Sequence, residues 1–111
     1  MLVHIADSGT PRLRAADDFG SLSVRAEASA PGWETLSRTL RAAGAGEVAG
    51  AHAWLDVAWL RAAAGDRDAG WHDRFAAMLG HAEAHGWLSA DGRRVRAHVD
   101  WGRAGRKADT E

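Results

Sequence analysis

Residues Glu47 to Ala64 read EVAGAHAWLDVAWLRAAA, and the secondary structure assigned to this stretch decides the fold. It holds no proline, and after Gly50 every residue is a good or tolerable helix former. Val48, Ala51, Leu55, Ala58 and Ala62 recur at helical spacing as one apolar stripe. Ala53, Val57, Leu60 and Ala64 make a second, and Trp54 and Trp59 widen both. A helix apolar around most of its circumference is a buried one. The expectation is therefore a single central helix, polar only at Glu47, His52, Asp56 and Arg61.

Outward from this stretch the pattern alternates between the two regular periods. On the N-terminal side Leu22, Val24, Ala26 and Ala28 alternate with Ser21, Ser23, Arg25 and Glu27, which predicts a strand with one wet face. Ser29-Ala30-Pro31-Gly32 ends it. Trp33, Leu36, Leu40 and Ala43 then form one face of a helix that Gly44 and Gly46 stop. On the C-terminal side Asp68 is placed to cap a helix whose core face is Trp71, Phe75, Met78, Leu79 and Ala82, closed by Gly86. After the turn signal Asp91-Gly92, Val95, Ala97, Val99 and Trp101 alternate with Arg94, Arg96, His98 and Asp100 as a second strand. The fold class predicted is α+β, in the order strand, three helices, strand. Two strands alone make a marginal sheet with bare edges, so a small antiparallel sheet completed by homodimerisation is expected. Residues 1–18, broken by Asp7-Ser8-Gly9-Thr10-Pro11, read as a loosely ordered arm to which Leu2–Ile5 could add a short strand. Residues 19–101 read as one domain and 102–111 as a flexible charged tail.

The 111 residues contain no cysteine, which removes disulfides, thiolate metal sites and a thiol nucleophile from consideration. No window is long and apolar enough for a membrane span, and the N-terminus lacks the pattern of a signal peptide, so a cytoplasmic protein with no membrane partner is expected. A net charge of −1 argues against nucleic acid as the partner. Ala, Gly and Arg are abundant, Lys107 is the one lysine, and Asn, Gln and Tyr are missing. That is the signature of GC-rich bacterial coding, and it discounts individual arginines and tryptophans as functional signals.

Two histidine groupings carry candidate chemistry. On a helix His52 and Asp56 lie one turn apart with Trp59 on the same line, an arrangement suited to acid–base catalysis if a further group orients a substrate. His81 and His85 are also one turn apart, but a zinc site needs at least a third ligand, and no HExxH pattern accompanies them. No metal and no cofactor are expected. Phosphate loops, dinucleotide fingerprints, nucleophile elbows and calcium loops are missing from the sequence.

A helix followed by Gly86-Trp87-Leu88, then Asp91-Gly92-Arg93-Arg94 and an alternating strand, resembles the end of a winged-helix DNA-binding domain. The resemblance implies a wing in which Arg93, Arg94 and Arg96 touch phosphates. The third helix, however, offers Trp71, His72, Asp73 and Glu83 in place of a row of cations. The favoured expectation is a binding or tailoring protein with a Trp-lined groove for a peptide or small metabolite. Its catalytic candidates are His52 and Asp56, and its ligand-binding candidates are Trp54, Trp59, Arg96 and His98. Natural-product maturation, for example closure of lanthipeptide cross-links by small stand-alone chains, is a fitting setting by size and style alone. A structural or protein-interaction module is the remaining alternative.

Overall fold

The computed structural model describes residues 1–5, 10–27 and 32–102. In chain order they form β1 (Leu2–Ile5), β2 (Pro11–Arg14), β3 (Ser23–Glu27), α1 (Trp33–Ala42), β4 (Gly46–Ala49), β5 (His52–Asp56), α2 (Val57–Ala64), α3 (Ala69–Ala84) and β6 (Arg94–Gly102). The strands make one curled mixed sheet in the order β2-β1-β3-β6-β5-β4. β1 and β3, and β3 and β6, run parallel; the outer pairs run antiparallel.

The stretch predicted as one central helix is a hairpin followed by a short helix. β4 and β5 pair with Ala49 opposite His52, so Gly50 and Ala51 are a two-residue turn. Gly50 has φ of 63° while Ala51 keeps negative φ, the pattern of a type II′ hairpin turn. In β5 the burial alternates: Ala53 and Leu55 are fully buried, while His52, Trp54 and Asp56 face outward. The same alanines, leucine and valine satisfy a helical stripe and a period-two strand. What selects the strand is β6, whose edge needs a backbone partner that a helix cannot supply. The helix begins at Val57, where the Asp56 carboxylate accepts the Trp59 N–H at 2.9 Å.

The sheet is complete within one chain, which corrects the expectation of a small sheet finished by dimerisation. Beyond the two strands of that reading the sheet holds four more, of which Leu2–Ile5 was only a possible addition. β4 and β5 lie in the stretch taken as helix, and β1 and β2 lie in the region taken as a loose arm. Most of the breaker cluster between β1 and β2, and the tail beyond residue 102, lie outside the described residues. Both sheet edges are managed internally. At the β4 edge α1 packs alongside, and the Val48 N–H donates to the buried Ser37 hydroxyl at 3.2 Å. At the β2 edge Pro11 carries no donor, and Arg12 and Arg14 are exposed charges.

One face of the sheet forms the core. Val3, Val24, Ala53, Leu55, Val95 and Ala97 pack with Leu36, Leu40, Leu60 and Phe75. Trp71 stacks on Phe75 with ring centroids 5.1 Å apart and donates its indole N–H to the Ala16 carbonyl at 2.9 Å. That bond ties the segment after β2 to α3. α1 ends in a Schellman motif: Gly44 N–H bonds the Arg41 carbonyl, and Ala45 N–H bonds Leu40. The chain then enters β4 through Gly46, which has φ of 148°. A Cβ there would stand 2.1 Å from the Trp54 carbonyl oxygen.

The opposite face is polar. His4 Nε2 lies 2.9 Å from Glu27 Oε2, and Arg25 reaches both Glu27 (3.6 Å) and Asp100 (3.2 Å). The His4 hydrogen bond, helped by the Arg25 charge, holds the Glu27 carboxyl below its ordinary pKa. Glu27 therefore stabilises the fold above the ordinary carboxylate range, and the contribution is lost as pH falls through its lowered value.

Two outcomes follow for urea denaturation. Gly46→Ala is expected to cost about 3 kcal/mol, against about 1 kcal/mol for Gly44→Ala, where nothing lies within 4 Å of the added carbon. Glu27→Gln is expected to lower stability at pH 7, and the difference from the parent to fade only below the ordinary carboxylate range, as the Glu27 carboxyl takes up its own proton.

Candidate functional site

The site arises where β6 changes partner. One edge of β6 pairs with β5 from Arg94 to His98. On the other edge the first residues pair with the segment after α3: Ser89 N–H bonds the Arg94 carbonyl at 2.8 Å, and Arg96 N–H bonds the Trp87 carbonyl at 2.7 Å. Pairing with β3 begins only at His98, opposite Ser23. Between these partners the sheet wall has a notch, floored by residues 95–98. A cleft of about 440 Å³ occupies it.

The walls come from three places. Phe19, Gly20, Ser21 and Leu22 lead into β3 on one side. Met78, His81 and Ala82 of α3, followed by Trp87, form the other. His52, Arg96 and His98 complete it on the outer face of the sheet. Strand alternation sorts the floor, since Val95 and Ala97 are buried toward the helices while Arg96 and His98 point outward. The cleft thus has an apolar depth beside α3 and a polar mouth on the open sheet face. None of its lining residues is acidic.

Local rules explain how the wall residues arrive there. α3 starts at Asp68, whose carboxylate accepts the Trp71 N–H at 2.9 Å, and ends in a second Schellman motif. Gly86, with φ of 76°, donates to the Glu83 carbonyl, and Trp87 N–H donates to Ala82 at 2.8 Å. That motif folds the residue after the glycine back onto the last turn and so seats Trp87 beside Ala82. The Trp87 ring is stacked with His85 at 4.5 Å, lies 6.1 Å from His81, and has the Arg96 guanidinium over it at 5.8 Å. His52 and His98 are directly opposed across β5 and β6, which puts their Cβ atoms about 5 Å apart.

The residues proposed from sequence are divided by this geometry. His52, Arg96 and His98 converge on the cleft. His52 and Asp56 are not a helical pair. They sit at opposite ends of β5, four strand residues and about 13 Å apart. Asp56 is occupied as the N-cap of α2. Trp54 is half-buried on the outer face, opposite Arg96 and Glu47, and does not line the cleft. Trp59 belongs to α2 and packs against the core. Of the six tryptophans only Trp87 lines the cleft, so its wall is mixed apolar and not an array of indoles. Trp33 and Trp101 pack edge to face at 5.0 Å, and Trp71 is core. The rings of His81 and His85 lie 4.3 Å apart. Among the described residues no three His, Asp or Glu side chains gather to hold a metal ion.

The Asp91-Gly92-Arg93-Arg94 run forms the turn of a short antiparallel hairpin that joins residues 87–89 to the start of β6. β6 is an interior strand, Arg94 is bound to Glu47 at 2.8 Å, and Arg96 is at the cleft. Sequence reasoning missed Phe19, Ser21, Leu22, Met78 and Trp87 as wall residues. The one available signal was Gly86-Trp87, because a large apolar residue after a C-terminal glycine packs back onto the helix. No known protein family, curated protein or solved structure matches the chain.

Asp56→Ala is expected to cost about 1 kcal/mol through the lost cap, and His52→Ala a few tenths at most, since its side chain takes part in none of the hydrogen bonds among the described residues. Thermal melts of both variants check the difference.

Proposed function

We propose that this protein binds a small metabolite, or one side chain of a peptide, in the cleft where β6 changes partner. The observation that carries the reading is the cleft itself. At about 440 Å³ it falls in the size range of small-molecule sites, and it joins an apolar depth to a polar mouth, the composition such sites have. In this reading Phe19, Leu22, Met78 and Trp87 hold the apolar part of the ligand. His52, Arg96 and His98 fix its orientation, and the geometry that would tie Asp56 to them is gone. A maturation or tailoring step acting on such a ligand would draw on the imidazoles that line the cleft, His52, His81 and His98. No helix of the described residues is long and apolar enough to cross a membrane. In this reading the ligand enters at the open sheet face, where the polar end of the cleft lies.

A thermal-shift screen of small metabolites tests the proposal. Hits that raise the Tm of the parent are expected to lose their effect in Met78→Trp, where the indole fills the cleft from a half-buried position on α3. Should that variant melt early, Ser21→Trp closes the same cleft from the opposite wall. Stabilisation that persists in both filled variants, or a screen with no stabilising compound, overturns the reading.

A further inference from the structure

We infer that the cleft selects a flat, apolar anion, a carboxylate above all, with its charge held at Arg96; this rests on the cleft being the binding site. The electrostatic argument begins with what the cleft lacks. No acidic residue lines it, so a ligand anion meets no like charge. Among the described residues Arg96 has no carboxylate within 4.0 Å, whereas its neighbours on the same sheet face are occupied. Arg94 binds Glu47 at 2.8 Å, and Arg25 binds Asp100 at 3.2 Å. Its guanidinium instead lies 5.8 Å from the Trp87 ring centroid. An aromatic face orients the planar fork without consuming its hydrogen bonds, which leaves it able to grip a carboxylate through two parallel N–H donors.

The surrounding groups extend the preference. His98 is two residues from Arg96 on the same strand face, about 7 Å along the strand, and His52 stands directly opposite it. Each imidazole offers an N–H donor even when neutral, so the mouth presents donors to an oxyanion from three side chains. The depth is apolar and offers Leu22, Met78 and the Trp87 ring to the body of the ligand. An anionic head at the mouth and a flat apolar body in the depth satisfy both halves together. A cationic ligand would have to displace Arg96, and a sugar-like ligand would leave the depth unsatisfied.

Isothermal titration with 2-naphthoate and its neutral counterpart 2-naphthamide tests the assignment. The parent is expected to bind the carboxylate roughly tenfold tighter than the amide. Arg96→Gln should erase that advantage while leaving amide affinity unchanged, and Met78→Trp should weaken both. If Arg96→Gln fails to fold, added salt on the parent gives the same discrimination, since it weakens the carboxylate and spares the amide. Equal affinity for the two probes in the parent, with both lost in Met78→Trp, overturns the anion assignment and leaves the cleft reading standing. Failure of the parent to bind 2-naphthoate at millimolar concentration likewise overturns the anion assignment, while the cleft reading stands or falls by the thermal-shift screen.

Discussion

The architecture depends on pairing the backbone of one long interior strand. β6 has nine residues, and a buried strand must find partners for its N–H and C=O groups on both edges. β5 serves the first half of one edge. On the other edge no single segment is long enough, so residues 87–89 serve the start and β3 the end. The exchange of partners satisfies the hydrogen bonds but leaves the side-chain layer discontinuous. The cleft is the space at that discontinuity, and its polar and apolar halves follow from β6 showing one set of residues to each face.

The remaining polar chemistry is mostly committed to holding this sheet. On the outer face His4, Glu27, Arg25 and Asp100 form a chain of contacts across β1, β3 and β6. Glu47 joins β4 to β6 through Arg94 and approaches Arg41 of α1. Asp56 and Asp68 are consumed as helix caps. Arg96, His52 and His98 stand outside these networks at the cleft mouth. Being exposed or half-buried there, they remain hydrated and bear no large desolvation cost while no ligand is present. The pattern matches what a binding site requires, because groups already engaged in structural pairs have little left to offer a ligand.

Edge protection accounts for a chain that does not need a second copy to finish its sheet. Ser37, buried on α1, accepts the edge N–H of Val48, and α1 is held in that place by the Schellman turn at Gly44. The sharp entry at Gly46 then brings the β4 backbone against Trp54, closer than any side chain permits. Ser37 and the turn at Gly44 thus do for the free edge of β4 what a partner subunit would otherwise do, while Gly46 fits its other edge closely to β5.

The sequence by itself determined the elements whose residues fit only one period. β3 and β6 alternate cleanly, α1 and α3 carry separate polar and apolar faces, and Asp68, Gly44 and Gly86 mark helix ends by side-chain and backbone chemistry that acts locally. Of the side chains it singled out, His52, Arg96 and His98 line the cleft and Asp56, Trp54 and Trp59 do not, and His52 was singled out for a helical pairing with Asp56 that the strand does not make. Residues 47–64 were not legible because alanine, valine, leucine and tryptophan at those positions fit a 3.6-residue and a two-residue repeat equally well. The choice was made by the unpaired edge of β6, more than thirty residues away in the chain. The convergence of the cleft was hidden for the same reason. His52 meets His98 only through cross-strand register, and Phe19 faces Met78 only because β6 changes partner between them. Local chemistry fixes where an element starts and stops, but hydrogen bonding between distant strands fixes which side chains share a space.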